Sequence, residues 1–306
     1  MASDARLGPN RLISLFTPKL KWAELTMGTL FIIGTPIGNL GDLSPRAAEL
    51  LRSVDLIVAE DTRVSRKLLN HLEASTPCIS YHEHSNPAQL ERVLVALDSG
   101  DVGQITDAGS PTVSDPGASL VKTAVARGHD VVAVPGPSAI TTALSISGMT
   151  GDRFLFLGFL PRKSSERRSV LSEAADETGT LVAFETPQRV LSAFGDIASV
   201  FGTRQIAVCR EMTKLYEEVF RGTADEAIEY FSTSRPRGEF VLVIEGAPRQ
   251  TTEISEETII ESIRHIGKTG LSGRSLVEAV IAATGAPRRR VYRLVTDSQS
   301  NKADDS

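Results

Sequence analysis

Short apolar runs alternate with longer amphipathic runs along most of this 306-residue chain. LFII at 30–33 and VVAV at 131–134 have the length and composition of buried strands. Between them, PRAAELLRSV at 45–54 repeats apolar residues at helical spacing, with Pro45 suited to the first turn and Ser44 to the N-cap. Strands that alternate with helices predict α/β domains built on parallel sheets.

Changes in this pattern predict four regions. Residues 1–26 contain no apolar run long enough for a secretory signal, and Met27 directly precedes the first strand. We interpret these residues as a disordered N-terminal extension or the product of an upstream start. An N-terminal α/β domain is expected at 27–148, a C-terminal α/β domain at 149–248, and a small helical C-terminal region at 249–306.

Composition limits the classes of function. The net charge of −5 excludes a global basic field, so a nucleic-acid partner would have to contact local basic patches. Two distant cysteines, Cys78 and Cys209, form neither a disulfide framework nor a zinc signature, which favours the reducing cytoplasm. No segment approaches the roughly 18 consecutive apolar residues of a membrane helix, so no membrane association is expected.

Polar and glycine-rich turns follow five of the predicted strands. They read GTPIGNL at 34–40, EDTR at 60–63, TDAGSPTVSDPG at 106–117, PGPSA at 135–139 and GFLPRK at 158–163. Because loops after parallel strands converge at one edge of a sheet, these turns predict a shared ligand crevice. The glycines of the first turn would allow its backbone to approach a nucleotide-like ligand closely.

The first turn does not match the common nucleotide-binding patterns. Its glycines are spaced G-x-x-x-G-x-x-G rather than G-x-G-x-x-G, and Pro36 removes a backbone donor. No Gly-Lys-Ser/Thr follows, which excludes a Walker loop. The turn is therefore glycine-rich without being a phosphate-binding loop.

Taken in order with RGEFVLVIEG at 237–246, these turns resemble those of the bacterial 16S ribosomal RNA 2′-O-ribose methyltransferases, within the tetrapyrrole-methylase superfamily. The resemblance covers roughly residues 28–297. Relatives that methylate corrin or porphyrin rings usually begin with G-x-G-P-G-D, where this chain has GTPIGN. Their Gly-Asp-Pro is Gly109-Ser110-Pro111 here, and both differences favour the RNA branch.

The resemblance implies a cofactor, a substrate and an assembly. S-adenosylmethionine would bind in a cleft between the two α/β domains, and the substrate would be a decoding-region cytidine of 16S ribosomal RNA, in the small subunit or its precursor. A homodimer is the implied assembly. The implied cofactor contacts are Pro36, Asp107, Ala108, Gly109, Ser110, Pro111, Val113, Ser138, Ala139, Phe184, Glu211, Met212 and Gly238.

Methyl transfer to a ribose hydroxyl requires alignment of the attacking oxygen and is helped by a base, because this hydroxyl is a very weak acid. We expect Asp61 with Arg63 to serve at the catalytic site, although Arg63 could instead form a salt bridge that holds the EDTR turn. The other candidate bases are Glu60, His82, His84 and Glu211. An isolated H-x-H pair is more typical of structure than of a metal site, so no metal is expected.

Two basic clusters are candidate phosphate contacts, although either could be an ordinary solvated face. They consist of Arg162, Lys163, Arg167 and Arg168, and of Arg288, Arg289, Arg290 and Arg293. Aromatic residues make up only 5% of the chain, which argues against recognition through many stacked bases.

Two alternatives remain open. One is a tetrapyrrole methylase of the same superfamily. The other is a non-catalytic nucleic-acid-binding protein that uses the helices of 272–297 as a helix-turn-helix, which would leave the five turns without a purpose.

Overall fold

The computed structural model describes residues 27–82, 87–114, 117–248 and 255–303, the last five of these by their backbone only. The chain divides into two compact units between Ala247 and Pro248. The predicted extension at 1–26 and the candidate base His84 lie outside the described residues. Within the described ranges, no helix combines the length and hydropathy needed to cross a membrane.

The first sheet of the larger unit contains five parallel strands in the order β3-β2-β4-β1-β5. The strands are β1 (Leu30–Ile33), β2 (Leu56–Ala59), β3 (Cys78–Ser80), β4 (Val102–Ile105) and β5 (Val131–Val134). The helices are α1 (Pro45–Ser53), α2 (Thr62–His71), α3 (Pro87–Leu97), α4 (Ala118–Ala126) and α5 (Ala139–Ser147). Because β1 lies between β4 and β5, the loops that follow these three strands meet at one edge of the sheet.

Both faces of this sheet are covered, which explains its continuously apolar strands. Phe31 and Ile33 of β1 pack with α1 and α2 on one face, whereas Leu30 packs with α3 and α4 on the other. Helix α1 begins as predicted, since the Ser44 side chain accepts a hydrogen bond from Ala47 N–H (3.1 Å).

The second sheet is mixed, with the order β6-β7-β10-β8-β9, in which only β6 and β7 are parallel. The strands are β6 (Phe154–Phe159), β7 (Thr180–Glu185), β8 (Gln205–Arg210), β9 (Glu218–Thr223) and β10 (Phe240–Ile244). The helices α6 (Ser164–Glu173), α7 (Val190–Phe201) and α8 (Ala224–Ser232) cover one face. Helix α5 covers the other face of this second sheet. The predicted domain boundary at 148 assigns α5 to the first domain, and the domain boundaries stay a prediction.

The smaller unit contains the helices α9 (Glu256–Gly267), α10 (Gly273–Thr284) and α11 (Arg288–Ala303). Ile259, Val280 and Val291 are fully buried in its core. The α/β class with C-terminal helices is therefore confirmed. The sequence pattern did not reveal β3 and β9, because β3 has only three residues and β9 is a half-buried edge strand that contains Glu218, Arg221 and Gly222.

Candidate active site

A cavity of about 500 Å³ lies within the larger unit, where the carboxyl ends of β4, β5 and β7 face the amino end of β10. Its volume is within the roughly 300–1,000 Å³ range of small-molecule and cofactor sites. The residues that line it are Ile37, Glu60, Asp107, Ala108, Gly109, Ser110, Val113, Ser114, Ser138, Ala139, Ile140, Phe159, Phe184, Glu185, Thr186, Pro187, Met212, Gly238, Glu239, Phe240 and Val241. The strand-end turns thus converge as expected.

The glycine-rich turn after β1 contributes Ile37 to this lining, and Pro36 is not part of it. A Cβ on Gly34 would lie 2.7 Å from the backbone of Gly136, and one on Gly38 would lie 2.6 Å from the Lys214 side chain. These glycines therefore allow contacts within the protein. Their close approach to a ligand stays a prediction.

The turn after β4 forms the floor of the cavity. Thr35 and Gly109 exchange two backbone hydrogen bonds of 2.8 and 3.1 Å, which tie this turn to the loop after β1. Three of its residues have left-handed backbone conformations, with φ of +84° at Gly109, +73° at Thr112 and +59° at Ser114. Such strain concentrates at ligand sites. Pro111 lies in the same turn but does not line the cavity.

The amino end of α5 points its first residues, Ser138 and Ala139, at the cavity. Ser138 is the N-cap, yet its side chain makes no capping hydrogen bond, and the first turn of the helix contains no acidic residue. The hydroxyl and the free N–H groups at this positive helix end would favour an anionic group such as a carboxylate.

The opposite wall is apolar and closely packed. The Phe184 ring packs edge-on against Phe156 (centroids 5.0 Å apart) and Phe159 (5.3 Å). Gly238, with φ of +89°, has no room for a side chain, because a Cβ there would lie 2.4 Å from Glu211 Cγ. Glu211 itself does not line this cavity, since its carboxylate pairs with Lys214 (2.9 Å).

Asp61 and Arg63 form a salt bridge of 2.7 Å beside the cavity, and neither lines it. Hydrogen bonds from the Arg63 side chain and N–H lower the pKa of Asp61 from 3.8 to about 2, which makes this carboxylate a poor base. The salt-bridge alternative therefore describes the geometry of the pair, while its catalytic role stays a prediction.

Asp107 lies next to this pair and lines the cavity. The Asp61 N–H donates a hydrogen bond to Asp107 Oδ1 (3.2 Å). Desolvation by the surrounding lining, with the nearby Asp61 charge, raises the pKa of Asp107 above its ordinary 3.8. The neighbouring Glu60 also lines the cavity and accepts a hydrogen bond from Thr106 Oγ1 (3.2 Å). Among the described residues, no group of three potential ligands that could hold a metal comes together.

Sequence reasoning missed part of the lining, notably Glu185, Thr186 and Pro187 after β7, whereas Phe159 lies in the expected GFLPRK turn but was not among the implied cofactor contacts. The strand-end rule that identified the turn after β6 would also have found the residues after β7, because β6 and β7 are parallel and end at the same edge of the sheet. Phe240 and Val241 gave no such signal, since they lie at the start of a strand whose antiparallel direction was not predicted.

The first basic cluster contains one buried arginine, and its other members are exposed. Arg167 is 1% exposed and donates to Asp196 Oδ2 (2.7 Å) and to the Pro161 carbonyl (3.1 Å). The expectation that it contacts phosphate is therefore wrong, because its guanidinium is enclosed by α6 and α7. Lys163 pairs with Glu166 at the surface, and the half-exposed Arg168 pairs with the buried Asp196. The exposed Arg162 has no partner among the described residues.

The second basic cluster begins α11 and is mostly paired within its own unit. Arg288 pairs with Glu278 (3.2 Å), and both Arg290 and Arg293 pair with Glu256. In the described part of the chain, Arg289 has no partner.

Comparison with known proteins identifies related sequences. The family model of the Tetrapyrrole (Corrin/Porphyrin) Methylases matches residues 29–228. A Synechocystis protein named Ribosomal RNA small subunit methyltransferase I is 40% identical over 278 residues, which cover 90% of this chain and 100% of that protein. The Bacillus subtilis protein of the same name is 39% identical, with 87% of this chain and 93% of that protein covered. The Thermotoga maritima protein of that name is 45% identical, with coverage of 72% and 99%.

Two solved structures show similarity of fold alone. Diphthine synthase matches with a TM-score of 0.57 at 13% identity, covering 88% of this chain and 100% of that one. A cobalt precorrin-4 methyltransferase matches with a TM-score of 0.54 at 17% identity, covering 71% and 94%.

Proposed function

This chain belongs to the tetrapyrrole (corrin/porphyrin) methylase family, and from that premise we propose that it transfers a methyl group from S-adenosylmethionine to the ribose 2′-oxygen of a decoding-region cytidine in 16S ribosomal RNA. The observation that carries the RNA substrate is the match of 40% identity over the full length of a relative named for small-subunit ribosomal RNA. As its substrate is ribosomal, we place the enzyme in the cytoplasm.

The cavity residues fit the proposed cofactor. Ser138 and the amino end of α5 would hold the carboxylate of its methionine part, because they offer unused donors at a positive helix end. Phe184 and Met212 would cover its apolar surfaces, and the strained turn from Asp107 to Val113 would contact its polar edge. Bound there, S-adenosylmethionine supplies a methyl group already activated on a positively charged sulfur.

We propose Asp107 as the group that accepts the ribose proton. Its carboxylate lines the cavity, and its raised pKa makes it a better base than Asp61. The Asp61 N–H fixes one oxygen of Asp107, so the Asp61–Arg63 pair would position Asp107 rather than take the proton itself. Glu60 is the second candidate, because its carboxylate also lines the cavity.

RNA phosphates would contact the exposed arginines that have no partner among the described residues, Arg162 and Arg289. The substrate would be the small subunit or its precursor, which presents the cytidine through its folded shape. We also propose a homodimer. Strand β6 is an edge strand on which Phe154 and Leu155 are 43% and 39% exposed, and an exposed apolar edge can pair with another chain.

A transfer assay distinguishes this proposal from the tetrapyrrole alternative. The purified full chain is incubated with tritiated S-adenosylmethionine and either unmodified small subunits or a porphyrinogen. Label on RNA alone supports the proposal, whereas label on the porphyrinogen alone would assign the chain to the other branch. Failure to bind the cofactor in calorimetry would favour the non-catalytic alternative.

A further inference from the structure

The loop between β8 and β9 presents two large apolar side chains to solvent. Leu215 is 88% exposed and Tyr216 is 71% exposed. Single exposed apolar residues are ordinary on protein surfaces, but two neighbours at the tip of one loop form a patch that binding would cover.

This loop is held in place by its own polar contacts. Glu211 Oε1 accepts hydrogen bonds from the Lys214 ammonium (2.9 Å) and from Glu239 N–H (3.0 Å). Thr213 N–H donates to the Glu217 carboxylate (2.6 Å). Glu211 and Thr213 have φ of +48° and +66°, conformations that persist only where the surroundings impose them. The tip is therefore fixed before any ligand binds.

The loop lies next to the candidate active site. Its Met212 lines the main cavity, and a second cavity of about 310 Å³ is lined by Arg210, Glu211, Tyr216, Arg237 and Gly238. Gly238 lines both cavities, so a ligand in the second lies beside one in the first.

The second cavity offers one guanidinium to a ligand. Arg210 pairs with Glu218 (2.9 Å), and Glu211 shares Lys214 with Glu239 (2.9 and 3.0 Å). The exposed Arg237 guanidinium has no partner among the described residues. An aromatic face beside an uncompensated arginine is the chemistry that binds a base together with its phosphate.

We propose, on the basis of the function proposed above, that this second cavity binds an unpaired nucleotide adjacent to the methylated one. The Tyr216 ring stacks on its base, and the Arg237 guanidinium binds its phosphate. A single stacking residue also agrees with the low aromatic content of the chain.

The test compares Tyr216→Ala, Tyr216→Phe and Arg237→Ala with the wild-type chain on unmodified small subunits at saturating cofactor. We expect Tyr216→Ala to weaken subunit binding roughly 5- to 150-fold, the loss expected for one stacked base, and Tyr216→Phe to retain binding. Arg237→Ala should lower the salt dependence of binding by about one charge. All three should bind S-adenosylmethionine like the wild type, and Val125→Ala, at an exposed position on α4 (59%), is the control.

The outcomes separate this inference from the proposed function. If the wild type methylates RNA and Tyr216→Ala binds subunits equally well, the nucleotide site is refuted while the function stands. If Tyr216→Ala loses binding only together with dimerisation, measured by light scattering, the loop is a contact between copies and the inference is also refuted. A wild type that methylates no RNA refutes the function itself.

Discussion

Replacement of Arg167 by methionine tests whether this side chain stabilises the fold, as its burial indicates, or contacts RNA. The substitution removes a guanidinium that bonds Asp196, the Pro161 carbonyl and Ser192 Oγ, while the Asp196 side chain remains only 8% exposed. Removing one partner of a buried ion pair typically costs about 3–5 kcal/mol, because the other charge stays buried.

The remaining partners of Asp196 place the expected cost at the lower end of that range. Ser164 Oγ (2.8 Å) and the half-exposed Arg168 (3.2 Å) still bond its carboxylate in the variant. We therefore expect a loss of about 3 kcal/mol in the free energy of unfolding, from urea denaturation. For a unit of this size, the loss corresponds to a fall in Tm of roughly 6–12 °C.

Two further variants identify the cause. Arg167→Met combined with Asp196→Leu should recover much of the lost stability, because no buried charge is left unpaired. The exposed neighbour Arg162 provides the matched control, and its replacement by methionine should change stability by less than about 0.5 kcal/mol. Arg162→Met should weaken RNA binding, whereas folded Arg167→Met should not. A stable Arg167→Met variant with weakened RNA binding would refute this reasoning.

The stability difference should also depend on pH. Burial alone would raise the pKa of Asp196, but hydrogen bonds from Ser164 and Arg167 outweigh it and lower the pKa below 3.8. A lowered folded-state pKa stabilises the protein above the unfolded value, and this contribution is lost as the pH falls through the folded value. The difference in the free energy of unfolding between wild type and Arg167→Met should therefore be largest near neutral pH and should shrink as the pH falls below the ordinary aspartate pKa.

Three other substitutions test the site. Gly34→Ala would place a Cβ 2.7 Å from the Gly136 backbone and should cost about 1–3 kcal/mol or more in urea denaturation; an unchanged midpoint would contradict this close approach. Gly238→Ala should weaken S-adenosylmethionine binding in calorimetry, because the new Cβ would lie 2.4 Å from Glu211 Cγ and force the cavity wall to move. An unchanged Kd would show that the wall can move without loss of cofactor binding. The methylation rate should rise with pH through the raised pKa of Asp107. Asp107→Asn should lose that rise, and an unchanged profile would exclude Asp107 as the base.

The class of fold and the position of the crevice could be predicted, because both depend on local patterns. Apolar runs four to six residues long became β1, β2, β4, β5 and β6, and the polar turns at their ends all contribute to one cavity. The segment from Asp107 to Ser110, together with Val113, Ser138, Phe184 and Gly238, lines the cavity, while the roles of these residues toward the cofactor stay a prediction.

Features that depend on distant partners could not be predicted. Gly34 is required by Gly136, which is 102 residues away, and Arg167 is buried because Asp196 on α7 packs against it. Nothing within RKSSERRS distinguishes this arginine from its exposed neighbours, since all of them have the same charge and similar surroundings in sequence. The salt-bridge partner of Asp61, Arg63, is only two residues away in sequence. That two nitrogens of its guanidinium bond both carboxylate oxygens of Asp61 could not be read from the sequence.

Nucleoside mass spectrometry with fragment mapping shows directly whether the chain methylates one ribose in 16S ribosomal RNA. Unmodified small subunits are incubated with the full chain and labelled S-adenosylmethionine, and the 16S RNA is then digested. We expect one 2′-O-methylcytidine, located in a decoding-region fragment. A methyl group on a base, on several scattered nucleotides, or on none despite cofactor binding would contradict it.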